Sequence, residues 1–76
     1  MSIKVRNKEV LIKFGERLKK LRQQKNLTQE GLAHAADVEV SQIHRLEVGK
    51  TNATLSTLTT ISTALEITLS ELFLDV

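Results

Sequence analysis

The chain has 76 residues, a length that suits one domain with a small hydrophobic core. It contains no proline, no cysteine and three glycines, which favours helices joined by short turns and excludes disulfides or a cysteine-based zinc site. The net charge of +2 is unevenly distributed: residues 1–26 hold nine Lys/Arg and two Glu (+7), whereas residues 27–76 hold two Lys/Arg and seven Asp/Glu (−5). Such a basic segment is typical of proteins that bind nucleic acids or other anionic surfaces, and equally of a solvated helix face.

The N-terminus carries Lys4, Arg6 and Lys8, but no apolar stretch of signal-peptide or membrane-spanning length follows. We therefore expect a cytoplasmic protein that does not associate with membranes. No grouping of residues resembles a metal-ligand set, a phosphate-binding glycine loop or a nucleophile with its base, and His34 and His44 are expected to be exposed. We expect no metal, no cofactor, no small-molecule ligand and no enzymatic activity.

The first predicted helix covers about residues 8–25. Its apolar residues recur at steps of four, four and three: Val10, Phe14, Leu18 and Leu21. Asn7 is a suitable N-cap, so residues 1–7 are expected to form a flexible basic arm, either a disordered tail or an arm that enters the DNA minor groove, and residues 8–76 the folded domain. Gly15 lies inside the helix, which indicates either close approach of another backbone, the alternative that we favour, or simple tolerance of glycine there.

Two short helices follow, with a tight turn between them. Thr28 is a suitable N-cap for the second helix, which is expected to end near Ala36. Asp37 suits the turn because Asp accepts the left-handed conformation at modest cost. The third helix is predicted from about Val40 to Val48, and Gly49 closes it.

The last third of the chain predicts two more helices. The longer one is marked by apolar residues at steps of three, three and four: Leu55, Leu58, Ile61 and Leu65. Thr54 is its expected cap, and Thr68 with Glu71 fits a capping box that begins a final short helix. The sequence therefore predicts an all-α fold, a compact bundle of five helices.

The second and third helices have the spacing of a helix-turn-helix unit, in which the third helix enters the DNA major groove. Polar side chains near the start of that helix reach base edges, and an arginine can donate two hydrogen bonds to guanine. The residues expected to contact bases are Val40, Ser41, Gln42, His44 and Arg45.

The stretches LAHAADV (residues 32–38) and IHRLEVGK (residues 43–50) resemble the phage-repressor and Cro-like helix-turn-helix family of transcriptional regulators. The similarity extends over about residues 10–73 through three further stretches: 14–22, 27–30 and 58–73. The resemblance implies a lambda repressor-like fold and a sequence-specific regulator that binds double-stranded DNA as a homodimer on a palindromic operator.

By the same resemblance, DNA phosphates are expected to be contacted by Thr28, Gln29, Lys50, Thr51 and Asn52. Elementary physics agrees at the start of the second helix, where free N–H groups and the helix dipole favour anions. The family commonly pairs an arginine of the first helix with a glutamate late in the third, and Arg22 and Glu47 occupy these positions. They form either a brace for the third helix or an ordinary surface pair.

Five residues depart from the family's pattern, of which Ala53 and Glu66 replace common turn residues. Asp37 stands where the turn usually has glycine, and Gly31 replaces a glutamate, which removes a capping box. Glu39 stands where the third helix usually has a serine or threonine cap. Its negative side chain lies close to DNA phosphates unless it meets a cytosine amino group or turns away.

The C-terminal residues Leu69, Leu72, Phe73, Leu74 and Val76 are densely apolar, and we expect them both to cap the core and to form the dimer interface. Other functions use the same fold: an antitoxin, a controller protein of a restriction-modification system, or a protein-interaction module that has lost DNA binding. Glu39 and the acidic second half of the chain favour the last of these.

Overall fold

The computed structural model describes residues 3–76, with side chains from residue 7 onward. Its regular elements are helices throughout these residues: α1 (Ile3–Gln24), α2 (Gln29–Ala36), α3 (Val40–Glu47), α4 (Leu55–Ala64) and α5 (Leu69–Leu72). The predicted all-α, five-helix fold is confirmed. Within the described part of the chain, no helix has the length and apolar character needed to cross a membrane.

Helix α1 begins at Ile3 rather than at residue 8, so Asn7 lies inside the helix and its predicted role as N-cap is wrong. Asparagine is favoured at the N-cap but also occurs inside helices. No proline or glycine precedes Asn7 in residues 3–6, so the helix extends through these residues. The expected arm of residues 1–7 overlaps α1 from residue 3. Residues 1–2 and the side chains of residues 3–6 lie outside the described part, and DNA contact by the arm stays a prediction.

The core is built from aliphatic side chains contributed by every helix. Seven of them are fully buried: Leu18, Leu32, Ile43, Leu46, Ile61, Leu65 and Leu72. Phe14 packs against Phe73 with ring centroids 5.3 Å apart, which connects α1 to the end of α5. Val10 was predicted on the apolar face of α1, but about half of its surface is exposed, at a cleft that it lines together with Leu46 and Phe73.

Three threonines fix where helices begin, as predicted. Thr28 and Thr54 each accept a hydrogen bond from the backbone N–H three residues later, at 2.9 and 3.1 Å. Thr68 and Glu71 form a full capping box, in which each side chain accepts a hydrogen bond from the other residue's backbone N–H. These bonds satisfy N–H groups that the helices cannot pair internally.

Gly15 is the point of closest approach between α1 and α3. A Cβ atom at this position would lie 2.5 Å from the carbonyl oxygen of Leu46 and closer still to that of Glu47. The predicted close approach of another backbone is therefore confirmed, and the other backbone is the C-terminal end of α3. Only glycine lets α3 lie this near α1.

Candidate nucleic-acid interface

The turn between α2 and α3 consists of residues 37–39. Asp37 adopts the left-handed conformation (φ 56°, ψ 48°), as predicted. Its N–H donates to the carbonyl of His34 at 3.2 Å, and the N–H of Val38 donates to that of Ala33 at 3.0 Å. These bonds tie the turn to the end of α2, so the direction in which α3 leaves is fixed by backbone geometry.

Helix α3 buries one face and presents the other to solvent. Ile43 and Leu46 point into the core, and both are essentially inaccessible. Among the residues predicted to contact bases, Gln42 is half-buried, and the others are exposed: Val40, Ser41, His44 and Arg45. The exposed face therefore carries hydroxyl, imidazole and guanidinium groups, which suit hydrogen bonding to base edges.

Val48 also belongs to this exposed face, and the sequence interpretation did not single it out. It follows Ser41 by seven residues and Arg45 by three, so helical geometry places all three on one outward ridge. The signal was present in the spacing. It was missed because Val48 was considered only as the end of the helix.

Arg22 and Glu47 form a buried bidentate ion pair between α1 and α3. The Nε of Arg22 lies 2.5 Å from one carboxylate oxygen, and its Nη2 lies 3.0 Å from the other. The remaining nitrogen, Nη1, donates to the carbonyl of Leu27 at 2.7 Å. The hydrogen bond to Glu47 raises the pKa of the Arg22 guanidinium despite the opposing effect of burial. The pair therefore braces α3 against α1 and is no ordinary surface pair.

Gln29 joins this brace, which the sequence did not predict. Its amide nitrogen donates to a carboxylate oxygen of Glu47 at 3.0 Å, so the start of α2 is connected to the end of α3. The second amide hydrogen of Gln29 takes part in no hydrogen bond within the described residues. Thr28 is exposed beside it. Two of the five residues expected to contact phosphates therefore lie together at the N-terminus of α2.

Glu39 is the N-cap residue of α3 and is exposed. Its backbone is extended (φ −70°, ψ 142°), but its side chain makes no capping hydrogen bond. A serine or threonine would accept a bond from the first turn of α3 here. The carboxylate is thus left free near the surface on which α3 is exposed.

The loop after α3 brings together the other residues expected to contact phosphates. Gly49 has a positive φ of 76°, and the N–H of Lys50 donates back to the carbonyl of Arg45 at 3.0 Å. Lys50 and Asn52 are exposed, and Thr51 is half-buried. A cation and two polar side chains therefore follow directly on the exposed face of α3.

The residues predicted to form the dimer interface separate into three groups by burial. Leu72 is fully buried within the protomer, so its predicted place in the interface is wrong: α5 turns this side chain into the core. Leu69 and Val76 are half-buried and pack against the core. Phe73 and Leu74 keep 39% and 56% of their surface exposed. These two side chains are the ones available to a partner.

Two basic residues of α1, Arg22 and Arg17, are held by contacts within the bundle. Arg22 is buried in the brace, and Arg17 donates two hydrogen bonds to the carbonyl of Glu71 on α5, at 2.8 and 3.3 Å. Lys13 and Lys20 line an open depression next to the C-terminal end of the chain. Among the described residues, no three acidic or histidine side chains come close enough together to hold a metal ion.

The turn, the exposed face of α3 and the brace behind it define a helix-turn-helix protein. The model of the helix-turn-helix family matches residues 18–72 of the chain. The chain belongs to this family of DNA-binding transcriptional regulators, whose members bind double-stranded DNA and are not enzymes.

One similar solved structure is that of a restriction-modification controller protein, and one relative is named a control protein. The control protein C.MunI of Mycoplasma sp is 45% identical over 69 residues, which is 90% of this chain and 93% of that protein. The crystal structure of the restriction-modification controller protein C.AhdI from Aeromonas hydrophila superposes with a TM-score of 0.81 at 41% identity, covering 83% of this chain and 96% of that one. The transcriptional regulator DdrOP3 of Deinococcus deserti is 38% identical over 80% of this chain, but over only 47% of its own length.

Proposed function

We propose that the protein is a sequence-specific regulator of transcription that binds a palindromic operator as a homodimer. The observation that carries this proposal is the exposed face of α3. Ser41, His44 and Arg45 are accessible there, while the Arg22–Glu47 pair and the turn after α2 hold the helix in place. Base recognition in the major groove requires hydrogen-bond donors and acceptors that are held in fixed positions.

The proposed phosphate contacts lie in two segments of the chain, at the start of α2 and directly after α3, the reading helix. Thr28 and Gln29 lie at the N-terminus of α2, where free backbone N–H groups attract an anion. Lys50, Thr51 and Asn52 follow α3. Contacts at two separate places would fix the register of α3 on the duplex without contributing to the choice of sequence.

The proposal of a homodimer is based on the apolar side chains that the protomer leaves exposed near its C-terminus. Phe73 and Leu74 are adjacent, and a two-fold axis would bring each pair against its own copy. A dimer of this kind places two reading helices about 34 Å apart, which matches one turn of DNA. Dimerisation would also stabilise a chain whose core is small.

Within this class, we propose that the protein is a controller of a restriction-modification system that acts in the cytoplasm. The support is the similarity to C.MunI and C.AhdI, which covers nine-tenths or more of each of those proteins. An antitoxin would share the fold, but neither of these relatives is named as one.

The first experiment is selection of bound duplexes from a random DNA pool at near-physiological salt, where non-specific attraction is weak. We expect enrichment of a palindrome with half-sites about one helical turn apart. Failure to enrich any sequence would overturn sequence-specific binding and favour an interaction module. If the selected palindrome occurs upstream of neither this gene nor a neighbouring endonuclease gene, the regulator proposal stands and the controller role is refuted.

The dimer is tested separately by Leu74→Asp, with Leu55→Asp as the matched control because Leu55 is also an exposed leucine. Sedimentation should show dimers of the control and monomers of the Leu74 variant, both with unchanged helical content. If only the Leu55 variant dissociates, the interface lies on α4 rather than at the C-terminus.

A further inference from the structure

Val48 is a half-exposed apolar residue on the face of α3 that carries polar side chains. It retains 46% of its surface, whereas Ile43 and Leu46 on the same helix are essentially buried. It does not belong to the core or to the apolar residues that pack against the core. Its position on the ridge with Ser41 and Arg45 means that whatever covers those residues also approaches Val48.

The backbone holds Val48 firmly in this position. Its N–H donates to the carbonyl of His44 at 3.1 Å, and the N–H of the next residue, Gly49, donates to that of Leu46 at 3.2 Å. The positive φ of Gly49 then turns the chain away from the helix axis. Val48 is therefore presented at the end of the reading helix by fixed geometry rather than by a mobile loop.

The major groove offers one strongly apolar group, the C5-methyl of thymine, while phosphates and the other base edges are polar. We propose that Val48 contacts a thymine methyl group and so selects thymine at one position of each half-site. Val48 follows Ser41 by seven positions, which is about 10 Å along the helix axis. At about 3.4 Å per base pair, the thymine lies about three base pairs from the base that Ser41 meets. This inference rests on the proposed operator binding.

The test replaces each thymine of the selected half-site in turn by deoxyuridine, which removes only the methyl group. For the wild-type protein, one deoxyuridine substitution, at the end of the half-site that Val48 approaches, should weaken binding about fourfold. This is the loss expected for one buried methyl-sized group. Val48→Ala should bind the thymine operator more weakly by a similar factor and show no further loss with deoxyuridine at that position. Coupling between the two changes identifies the contact.

Val10→Ala is the matched control, because Val10 is exposed to the same degree (47%) but lies beside Phe73 on α1. This variant should keep the wild-type loss at the same thymine. The inference is overturned if the wild-type protein tolerates every deoxyuridine near the Val48 end, or if Val48→Ala keeps the methyl preference. Failure of the wild-type protein to bind the operator at all would instead refute the proposed function, and this inference with it.

Discussion

Replacing Gly15 by alanine tests whether the α1–α3 contact positions the reading helix. The new Cβ would lie 2.5 Å from the carbonyl oxygen of Leu46 and closer to that of Glu47, whereas ordinary contacts begin near 3.4 Å. Both neighbours are backbone atoms, so no side-chain rotation relieves the clash. The two helices must therefore move apart, by roughly 1 Å.

Two effects of opposite sign set the size of the change. Alanine is a better helix former than glycine by about 1 kcal/mol in a helix interior. Overpacking against rigid neighbours costs about 1–3 kcal/mol. Since α3 is also held by the Arg22–Glu47 pair, it cannot move freely, and we expect the upper part of that range. The net destabilisation of Gly15→Ala should be about 1–2 kcal/mol.

The assay is urea unfolding followed by far-UV circular dichroism, combined with operator binding. Gly31→Ala is the matched control, because Gly31 also lies in a helix and its nearest neighbour is the Thr28 side chain at 3.2 Å. The control should be close to neutral, because the gain in helix propensity offsets the shift of a few tenths of an ångström required of the Thr28 hydroxyl that caps α2. A shift of α3 should lower specific affinity in Gly15→Ala more than non-specific affinity. Equal stability of the two alanine variants would show that the close approach of α1 and α3 at Gly15 does not affect the free energy of unfolding.

Three further changes test the rest of the site. Arg22→Met leaves the Glu47 carboxylate buried without its ion-pair partner, so urea unfolding should show that the free energy of unfolding falls by about 3–5 kcal/mol. Adding Glu47→Gln in the double variant should restore part of this loss. A loss below about 1 kcal/mol is the outcome expected of a surface pair. Arg45→Ala should relax preference at one base position, whereas Lys50→Ala should weaken binding to all sequences and reduce the salt slope by about one; equal behaviour would remove the base-reading role. Thr68→Ala should lower the stability measured by thermal unfolding by about 1 kcal/mol, whereas Thr68→Ser, which keeps the hydroxyl, should not. Equal stability of the two variants would show that the capping box does not stabilise the protein.

Local signals predicted the fold well. Thr28, Thr54 and Thr68 were recognised as caps because their chemistry acts within three residues of the chain. Asp37 was recognised as a left-handed residue for the same reason, and its φ is positive. A signal that depends only on neighbouring residues can be read from sequence alone.

Predictions failed where competing local preferences or packing between distant parts decided the result. Asn7 has the right chemistry for a cap, yet the helix continues through it because nothing upstream stops it. Leu72 and Phe73 are neighbours of similar hydrophobicity, but one is buried and the other exposed. Only the direction of α5 against the bundle separates them, and a helix of four residues carries too little periodicity to give that direction.

The candidate site shows the same division. Arg22 and Glu47 were paired by resemblance, but no pattern indicated that Gln29 would donate to the same carboxylate. That bond depends on three helices meeting at one point. Gln29 therefore belongs both to the expected phosphate contact and to the brace. Replacing Glu47 should affect phosphate binding as well as the position of α3.

The charge asymmetry of the chain does not translate directly into a DNA-binding surface. The segment with a charge of +7 contains Arg22, which is buried, and Arg17, which holds α5. The only two cations of residues 27–76 are Arg45 and Lys50, one on the exposed face of α3 and the other directly after the helix. Acidic residues of that half, including the exposed Glu39 at the start of α3, repel phosphates, so within residues 27–76 the attraction comes from Arg45 and Lys50. If this distribution matters, reversing the charge of Lys20 should reduce operator affinity much less than reversing that of Lys50. Equal losses would show that the net charge of the chain, rather than its placement, drives binding.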